Sequence, residues 1–109
     1  MRFYRVLLLI LFCAVALAAF AQASGETLFN NKCANCHAKD GSGKTAFAEK
    51  AKVPDLRSGQ VQFMTDQEIY DCIATGKNHK VYPHSFAMRG MSVQEINSLV
   101  KYIRQIEKK

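Results

Sequence analysis

The 109-residue sequence predicts a single small all-α domain with long loops. Several stretches place apolar residues at three- and four-residue steps, and two of these follow a helix-capping box. No stretch alternates apolar and polar residues between hairpin turns, as a β-strand would. With 49% hydrophobic and 22% charged residues and no internal repeat, the chain is too short for two domains and too apolar to be disordered.

The N-terminal segment has the features of a secretory signal peptide. Arg2 and Arg5 precede an uncharged apolar run of 16 residues, 6–21. Small residues follow at the spacing that a signal peptidase recognises, so we expect cleavage near Ala21 or Ala23. The alternative is an uncleaved anchor, for which the run is short, because a spanning helix needs about 20 residues.

Cleavage after Ala23 divides the chain into a signal peptide, 1–23, and a domain, 24–109, and it predicts a periplasmic protein without a stable membrane anchor. Cys13 leaves with the signal peptide. Thirteen basic residues remain against nine acidic ones, a net charge of +4. This surplus is too modest to indicate nucleic-acid binding. So small a domain usually needs a disulfide, a metal or a cofactor for stability.

Two helices are predicted in the first half of the domain. The first begins at Ser24, with Gly25, Leu28 and Phe29 on one face, and runs into Cys33. After a Gly-rich loop, a short helix is expected over 46–52. Val53-Pro54 then forces an extended or turning backbone, because proline excludes the preceding residue from the helical region.

Two further helices follow capping boxes. Thr65 and Glu68 begin a middle helix that Gly76 ends. Ser92 and Glu95 begin the last helix, whose apolar face is formed by Ile96, Leu99, Val100, Ile103 and Ile106.

Residues 33–37 read Cys-Ala-Asn-Cys-His, the pattern that attaches haem covalently. Two intervening residues place both thiols on one side of a helical turn, where they can add to the two vinyl groups of one haem, and His37 then lies beneath the iron. The alternatives are a thioredoxin-like disulfide, which lacks its βαβ context, and a zinc site. Zinc would need a second ligand pair, which the spacing of Cys72, His79 and His84 does not provide.

With these residues the domain resembles a small monohaem class I c-type cytochrome over nearly its whole length. The resemblance implies a cytochrome c-like fold of three to four helices wrapped around one covalent haem c. It implies that Gly25 and Phe29 of the first helix cross Leu99 and Tyr102 of the last. It also implies that Cys33 and Cys36 attach the haem and that His37 is the proximal iron ligand.

Two further roles are implied by the same resemblance. The carbonyl of Pro54 would accept the proton on the far nitrogen of His37, and Leu56 would pack on the haem ring. The alternative is an ordinary loop proline and an ordinary core leucine.

The distal ligand departs from the family pattern, because no Met-Pro precedes the last helix. Counting back eight residues from Ser92 gives His84, the first choice, whereas Met88 leaves only a short return to the helix. His79, Met91, Tyr82 or an open site are the remaining alternatives. An axial thioether raises the potential of the haem, and a second imidazole leaves it lower.

The function that the resemblance implies is a one-electron carrier in a respiratory or other redox chain, not an enzyme in its own right. The alternatives are a haem-based small-ligand sensor or peroxidase-like protein, and a cytochrome subunit of a larger redox enzyme. Cys72 is predicted to be a small buried apolar residue. Lysines near the expected haem edge would steer a redox partner with an acidic docking face; they are Lys32, Lys39, Lys44, Lys77 and Lys80.

Overall fold

The computed structural model describes residues 1–79 and 84–109, with the side chains of 11–24 excepted. This part of the chain contains helices and no strand, which confirms the all-α prediction. The helices are α1 (Arg2–Lys32), α2 (Ala34–His37), α3 (Ala46–Ala51), α4 (Gly59–Gln62), α5 (Asp66–Thr75) and α6 (Val93–Ile106).

Helix α1 begins far earlier than Ser24, at Arg2. The preceding segment is rich in alanine and leucine, the residues with the highest helix propensities, so the helix extends through it. The described side chains at its start, residues 1–10, are exposed and contribute nothing to the core. Among the described residues, no helix has both the length and the apolar character needed to cross a membrane.

The crossing of α1 and α6 is the centre of the fold. A Cβ on Gly25 would lie 2.6 Å from the carbonyl oxygen of Ser98, so only glycine permits this approach of the two backbones. One turn later the rings of Phe29 and Tyr102 pack with centroids 5.2 Å apart and tilted by 52°. Leu99 beside them is fully buried. The predicted crossing is therefore confirmed.

Helices α5 and α6 begin at the predicted capping boxes. The side chains of Thr65 and Ser92 each accept a hydrogen bond from the backbone of the third helical residue, Glu68 and Glu95, whose carboxylates bond back to the cap. Gly76 ends α5 with a φ of 75°, a left-handed conformation that glycine adopts without strain.

Three short helices complete the fold. Helix α3 begins after Thr45, whose side chain accepts from the amide of Ala48, and it ends at Ala51, one residue before the predicted end. Helix α2 is separate from α1, because the backbone changes direction at Cys33, where φ is −117°. Helix α4 was not predicted, since four residues are too few for a periodic pattern to appear.

Arg104 connects α6 to the segment between α4 and α5. Its guanidinium donates to the carbonyl oxygens of Gln62, at 2.8 Å, and Met64, and it pairs with Asp66 at 2.9 Å. Gln62 in turn donates from its side chain to the carbonyl oxygens of Leu56, at 2.7 Å, and Ile103, at 3.1 Å. These bonds fix the loop that carries Leu56 against the last helix.

Candidate functional site

The Cys-Ala-Asn-Cys-His segment is a single tight turn at the end of α1. The amides of Cys36 and His37 both donate to the carbonyl oxygen of Cys33, at 3.1 and 2.9 Å. Both thiols are half-buried and neither is in a disulfide, so the predicted alternative of a Cys33–Cys36 bridge is not formed. Burial, and then the neighbouring Cys36, raises the pKa of Cys33 to about 12, so this sulfur carries its proton at neutral pH.

The loop that follows holds this turn in place. The amide of Gly43 donates to the carbonyl oxygen of His37 at 2.8 Å, and the hydroxyl of Thr45 donates to that of Cys36 at 3.1 Å. The hydroxyl of Thr45 is also the acceptor that begins α3, so one side chain links the turn to the next helix. The imidazole of His37 is buried as a result.

The fold brings all three histidines of the chain together. The rings of His37 and His84 have centroids 6.0 Å apart, and those of His79 and His84 are 4.0 Å apart. One ligating nitrogen from each lies within 4.8 Å of the others. This group contains none of the cysteines, so His79 and His84 lie with His37 and do not form a second ligand pair for Cys33 and Cys36. The spacing of His79 and His84 along the chain gave no sign that both rings would lie near His37.

The orientation of His84 is set by α5 and by the loop after it. Its Nδ1 lies 3.3 Å from the carbonyl oxygen of Cys72, which can only accept, so Nδ1 carries the proton and Nε2 keeps the lone pair that a metal binds. The ring also stacks on Phe86, with centroids 5.7 Å apart. Phe86 is held by a bond from its amide to the carbonyl oxygen of Ile73, at 3.1 Å.

The imidazoles of His37 and His84 are both uncharged at neutral pH. Burial, and then the nearby His84 and His79, lowers the pKa of His37 to about 4. Burial, and then His79, lowers the pKa of His84 to about 4, although the bond to Cys72 opposes this shift. A neutral imidazole is the form that coordinates a metal ion.

The other distal candidates have different positions. Met88 is 89% exposed, so its thioether points into solvent rather than toward His37. Met91 packs against the core, and its amide donates to the carbonyl oxygen of Phe86 at 3.0 Å. Tyr82 lies outside the described residues. Of the predicted candidates that the structure describes, only His84 and His79 are grouped with His37.

Pro54 and Leu56 lie on the loop that faces the turn. The hydrogen bond predicted between the carbonyl of Pro54 and His37 is not formed. Nδ1 of His37 is buried and has no partner among the described residues. The oxygen of Pro54 lies beside Gly43 instead, 3.5 Å from the place that a Cβ would take there. Leu56 is buried in the core, and its amide donates to the carbonyl oxygen of Gly41 at 2.8 Å.

Cys72 and the lysines complete the set of predicted residues. Cys72 is half-buried rather than buried, and its sulfur lies 4.0 Å from Nδ1 of His84. Burial raises the pKa of this thiol. Lys77 pairs with Asp71 at 3.8 Å, and Lys80 lies outside the described residues. The remaining lysines of the predicted set, Lys32, Lys39 and Lys44, are exposed.

Two contributors to the site were not predicted. One is the backbone carbonyl of Cys72, because a main-chain group has no sequence signal. The other is Phe86, which lies in the loop between α5 and α6, where residues show no periodic pattern. Its place in a segment with five candidate ligands was the one available indication.

Comparison with known proteins gives one family. The family model described as Cytochrome c matches residues 22–107. No curated protein and no solved structure matches the chain.

Proposed function

The chain belongs to the cytochrome c family, and from this we propose that it is an exported one-electron carrier with a single haem attached through Cys33 and Cys36. The family supports a haem-based electron carrier and implies covalently bound haem c. The finer proposal concerns the number of haems, the residues that hold the iron, the location and the partner. The observation that carries it is the closeness of His84 to His37, with ring centroids 6.0 Å apart, at a turn with two free thiols.

The donor set fits a haem with two imidazole ligands. Two imidazoles on opposite sides of one metal ion, each bound at about 2.0 Å, have ring centroids about 6 Å apart. The rings of His37 and His84 are separated by 6.0 Å. Nδ1 of His37 is buried and has no partner among residues 1–79 and 84–109, and such a group calls for a partner or for a place in a ligand set. We therefore assign His37 as the proximal ligand and His84 as the distal ligand, with Met88 as the alternative.

The chain's own residues perform four tasks in this function. Each thiol adds across one vinyl group, with sulfur bonding to one carbon and hydrogen to the other, so no oxidant is needed. Cys72 orients His84 through its carbonyl oxygen. Leu56 and the core around Phe29 exclude water. The bound haem supplies an iron that exchanges one electron between its ferric and ferrous states.

Two imidazole ligands predict a lower potential than a histidine and methionine pair would give. In this assignment His37 and His84 would hold the iron from both sides, which would leave no open position for oxygen, peroxide or other small ligands. This favours a carrier over a sensor or a peroxidase-like protein.

Export and the docking of an acidic partner are further parts of the proposal. Residues 1–23 serve as the signal peptide of a periplasmic protein, which is supported by their exposed apolar side chains at 3–10 and by a family match that begins at residue 22. Lys32 and Lys39 flank the Cys-Ala-Asn-Cys-His turn and are exposed, so an acidic face of a redox partner can approach them.

The first experiment is an absorption spectrum of the exported protein, oxidised and reduced, beside a denaturing gel stained for haem. We expect a haem band that survives denaturation and a low-spin spectrum without the weak far-red band of a sulfur ligand. The control is Cys33→Ala/Cys36→Ala, which should lose the haem-stained band on the denaturing gel. A band absent from the unaltered protein would contradict the proposal.

A pair of variants tests the distal assignment. His84→Ala is expected to change the spectrum of the ferric protein, whereas Met88→Ala is expected to leave it unchanged, because Met88 is exposed. A far-red band in the unaltered protein that disappears in Met88→Ala would give the distal position to Met88 instead.

The docking surface is tested by the salt dependence of electron transfer to an acidic partner protein. Lys32→Gln/Lys39→Gln is expected to slow association and to weaken its dependence on salt, since long-range attraction falls with screening. Lys50→Gln/Lys52→Gln, on and after α3, is the matched control. Equal effects of the two pairs would contradict a localised docking face.

A further inference from the structure

The structure points to a further role for His79, and this inference rests on the proposed function. We propose that His79 is an alternative distal ligand, which replaces His84 on the haem iron after its side chain rotates. Either His79 or His84 would then bind the iron on one side of the haem, and His37 would bind it on the other side.

The three-histidine cluster carries this inference. His79 lies edge-on to His84, with ring centroids 4.0 Å apart and planes at 63°. Its ligating nitrogen lies within 4.8 Å of those of both His37 and His84. Because a metal ion shared by two opposing imidazoles keeps their nitrogens about 4 Å apart, the nitrogen of His79 is within reach of the same position after a side-chain rotation.

A second observation is the state of the His79 ring. Its Nδ1 is buried and has no hydrogen-bond partner among the described residues. A buried unpaired nitrogen costs free energy, so it marks a place where a proton partner, a water or a metal belongs. His84, by contrast, already has its Nδ1 bound to the carbonyl of Cys72.

The backbone explains why both rings reach one place. His79 lies four residues after Thr75, the end of α5, and its amide donates to the carbonyl oxygen of Gly76 at 3.0 Å. Gly76 and Asn78 both have positive φ, 75° and 63°, which turns the chain back toward the helix. His84 contacts the same helix at Cys72. Both imidazoles therefore converge on one end of α5 from the two ends of one loop.

The exchange is balanced within the chain. The coordinate bond between iron and His84 breaks and one between iron and His79 forms. One bond from an imidazole lone pair replaces another, so the oxidation state of the iron does not change. Because the ligand type is the same, the haem stays low-spin and closed to small ligands in both forms.

The experiment uses the haem-loaded protein and the absorption and electron paramagnetic resonance spectra of its ferric form. The chain has three histidines, so His84→Ala leaves only His79 to face His37. We expect His84→Ala to remain low-spin with shifted resonance values, and His79→Ala to resemble the unaltered protein. His79→Ala/His84→Ala is expected to become high-spin and, once reduced, to bind carbon monoxide.

The outcomes separate the two proposals. A high-spin His84→Ala protein would overturn the role of His79 while leaving His84 as the distal ligand. A low-spin His79→Ala/His84→Ala protein would also overturn it, because another group, such as Cys72 or a lysine, would then be the ligand. Cys72→Ala/His84→Ala is the matched control and should stay low-spin. Far-ultraviolet circular dichroism confirms that each variant is folded, and the haem-stained gel tests attachment independently.

Discussion

At the scale of single residues, close contacts decide what each position accepts. Gly25 lies where any Cβ would meet the carbonyl oxygen of Ser98 at 2.6 Å, a distance that forces one backbone to move. His84 has its proton on Nδ1 because a carbonyl oxygen is its partner. In both cases a single carbonyl oxygen of a neighbouring element is decisive. It determines which residue fits at position 25 and which nitrogen of His84 carries the proton.

Gly25→Ala is expected to lower the free energy of unfolding by about 1–3 kcal/mol, because the added methyl group separates α1 from α6. The measurement is guanidinium unfolding of the haem-loaded protein followed by circular dichroism. Gly59→Ala is the control, since its Cβ would meet only the ring of Phe63, which is 92% exposed and can move. Equal losses of stability in both variants would contradict the crossing as the cause.

At the scale of elements, helix ends and long side chains fix the geometry. Helices α5 and α6 both begin at reciprocal capping boxes, which satisfy backbone amides that would otherwise lack partners. Arg104 of α6 then binds the segment between α4 and α5 through hydrogen bonds and an ion pair, in addition to the apolar contacts that these elements share.

Ser92→Ala is expected to lower the free energy of unfolding by about 1 kcal/mol, the usual effect of losing an N-cap. Thermal unfolding of the haem-loaded protein measures it. Gln94→Ala, an exposed position in the same first turn, is the control and should change stability by only a few tenths of that amount. A larger loss from Gln94→Ala than from Ser92→Ala would refute the role of the cap.

Arg104→Lys is expected to lower the free energy of unfolding by about 1.5–3 kcal/mol, because an ammonium group cannot reach the carbonyl oxygens of Gln62 and Met64 and the carboxylate of Asp66 together. Asp66→Asn removes only the exposed ion pair and is expected to cost less than about 1 kcal/mol. Chemical unfolding measures both. If Asp66→Asn has the same effect as Arg104→Lys, the bonds to the backbone contribute nothing.

At the scale of the whole molecule, a small core is completed by the cofactor that the family implies. The described core lies where α1, α5 and α6 meet, and the turn with Cys33 and Cys36 borders it. A covalent haem adds apolar surface to this core and cannot diffuse away.

The state of the whole chain is tested by counting thiols in the exported protein after reduction and denaturation. We expect one reactive thiol per chain, that of Cys72, because the proposed function puts Cys33 and Cys36 in thioether bonds and removes Cys13 with the signal peptide. Two thiols would mean that the N-terminal segment is retained. Three would mean that the haem is not attached through Cys33 and Cys36.

Local chemistry in the sequence predicted much of the fold. Capping boxes and Gly76 gave the bounds of α5 and α6, because helix ends depend on residues three or four positions apart. The Cys-Ala-Asn-Cys-His turn could be read directly for the same reason. The early start of α1 and the single turn of α4 were missed, since neither has an amphipathic pattern that marks its limits.

The sequence by itself determined the all-α class and the attachment motif, and its resemblance to the cytochromes implied the contact of Gly25 and Phe29 with the last helix. Only the tertiary structure decided which distal candidates lie near His37. It grouped His84 and His79 with His37 and left Met88 in solvent. The reason is that the positions of His84 and Met88 depend on hydrogen bonds between distant residues. The amides of Phe86 and Ala87, for example, donate to the carbonyl oxygens of Ile73 and Ala74. Spacing along a chain does not reveal such contacts.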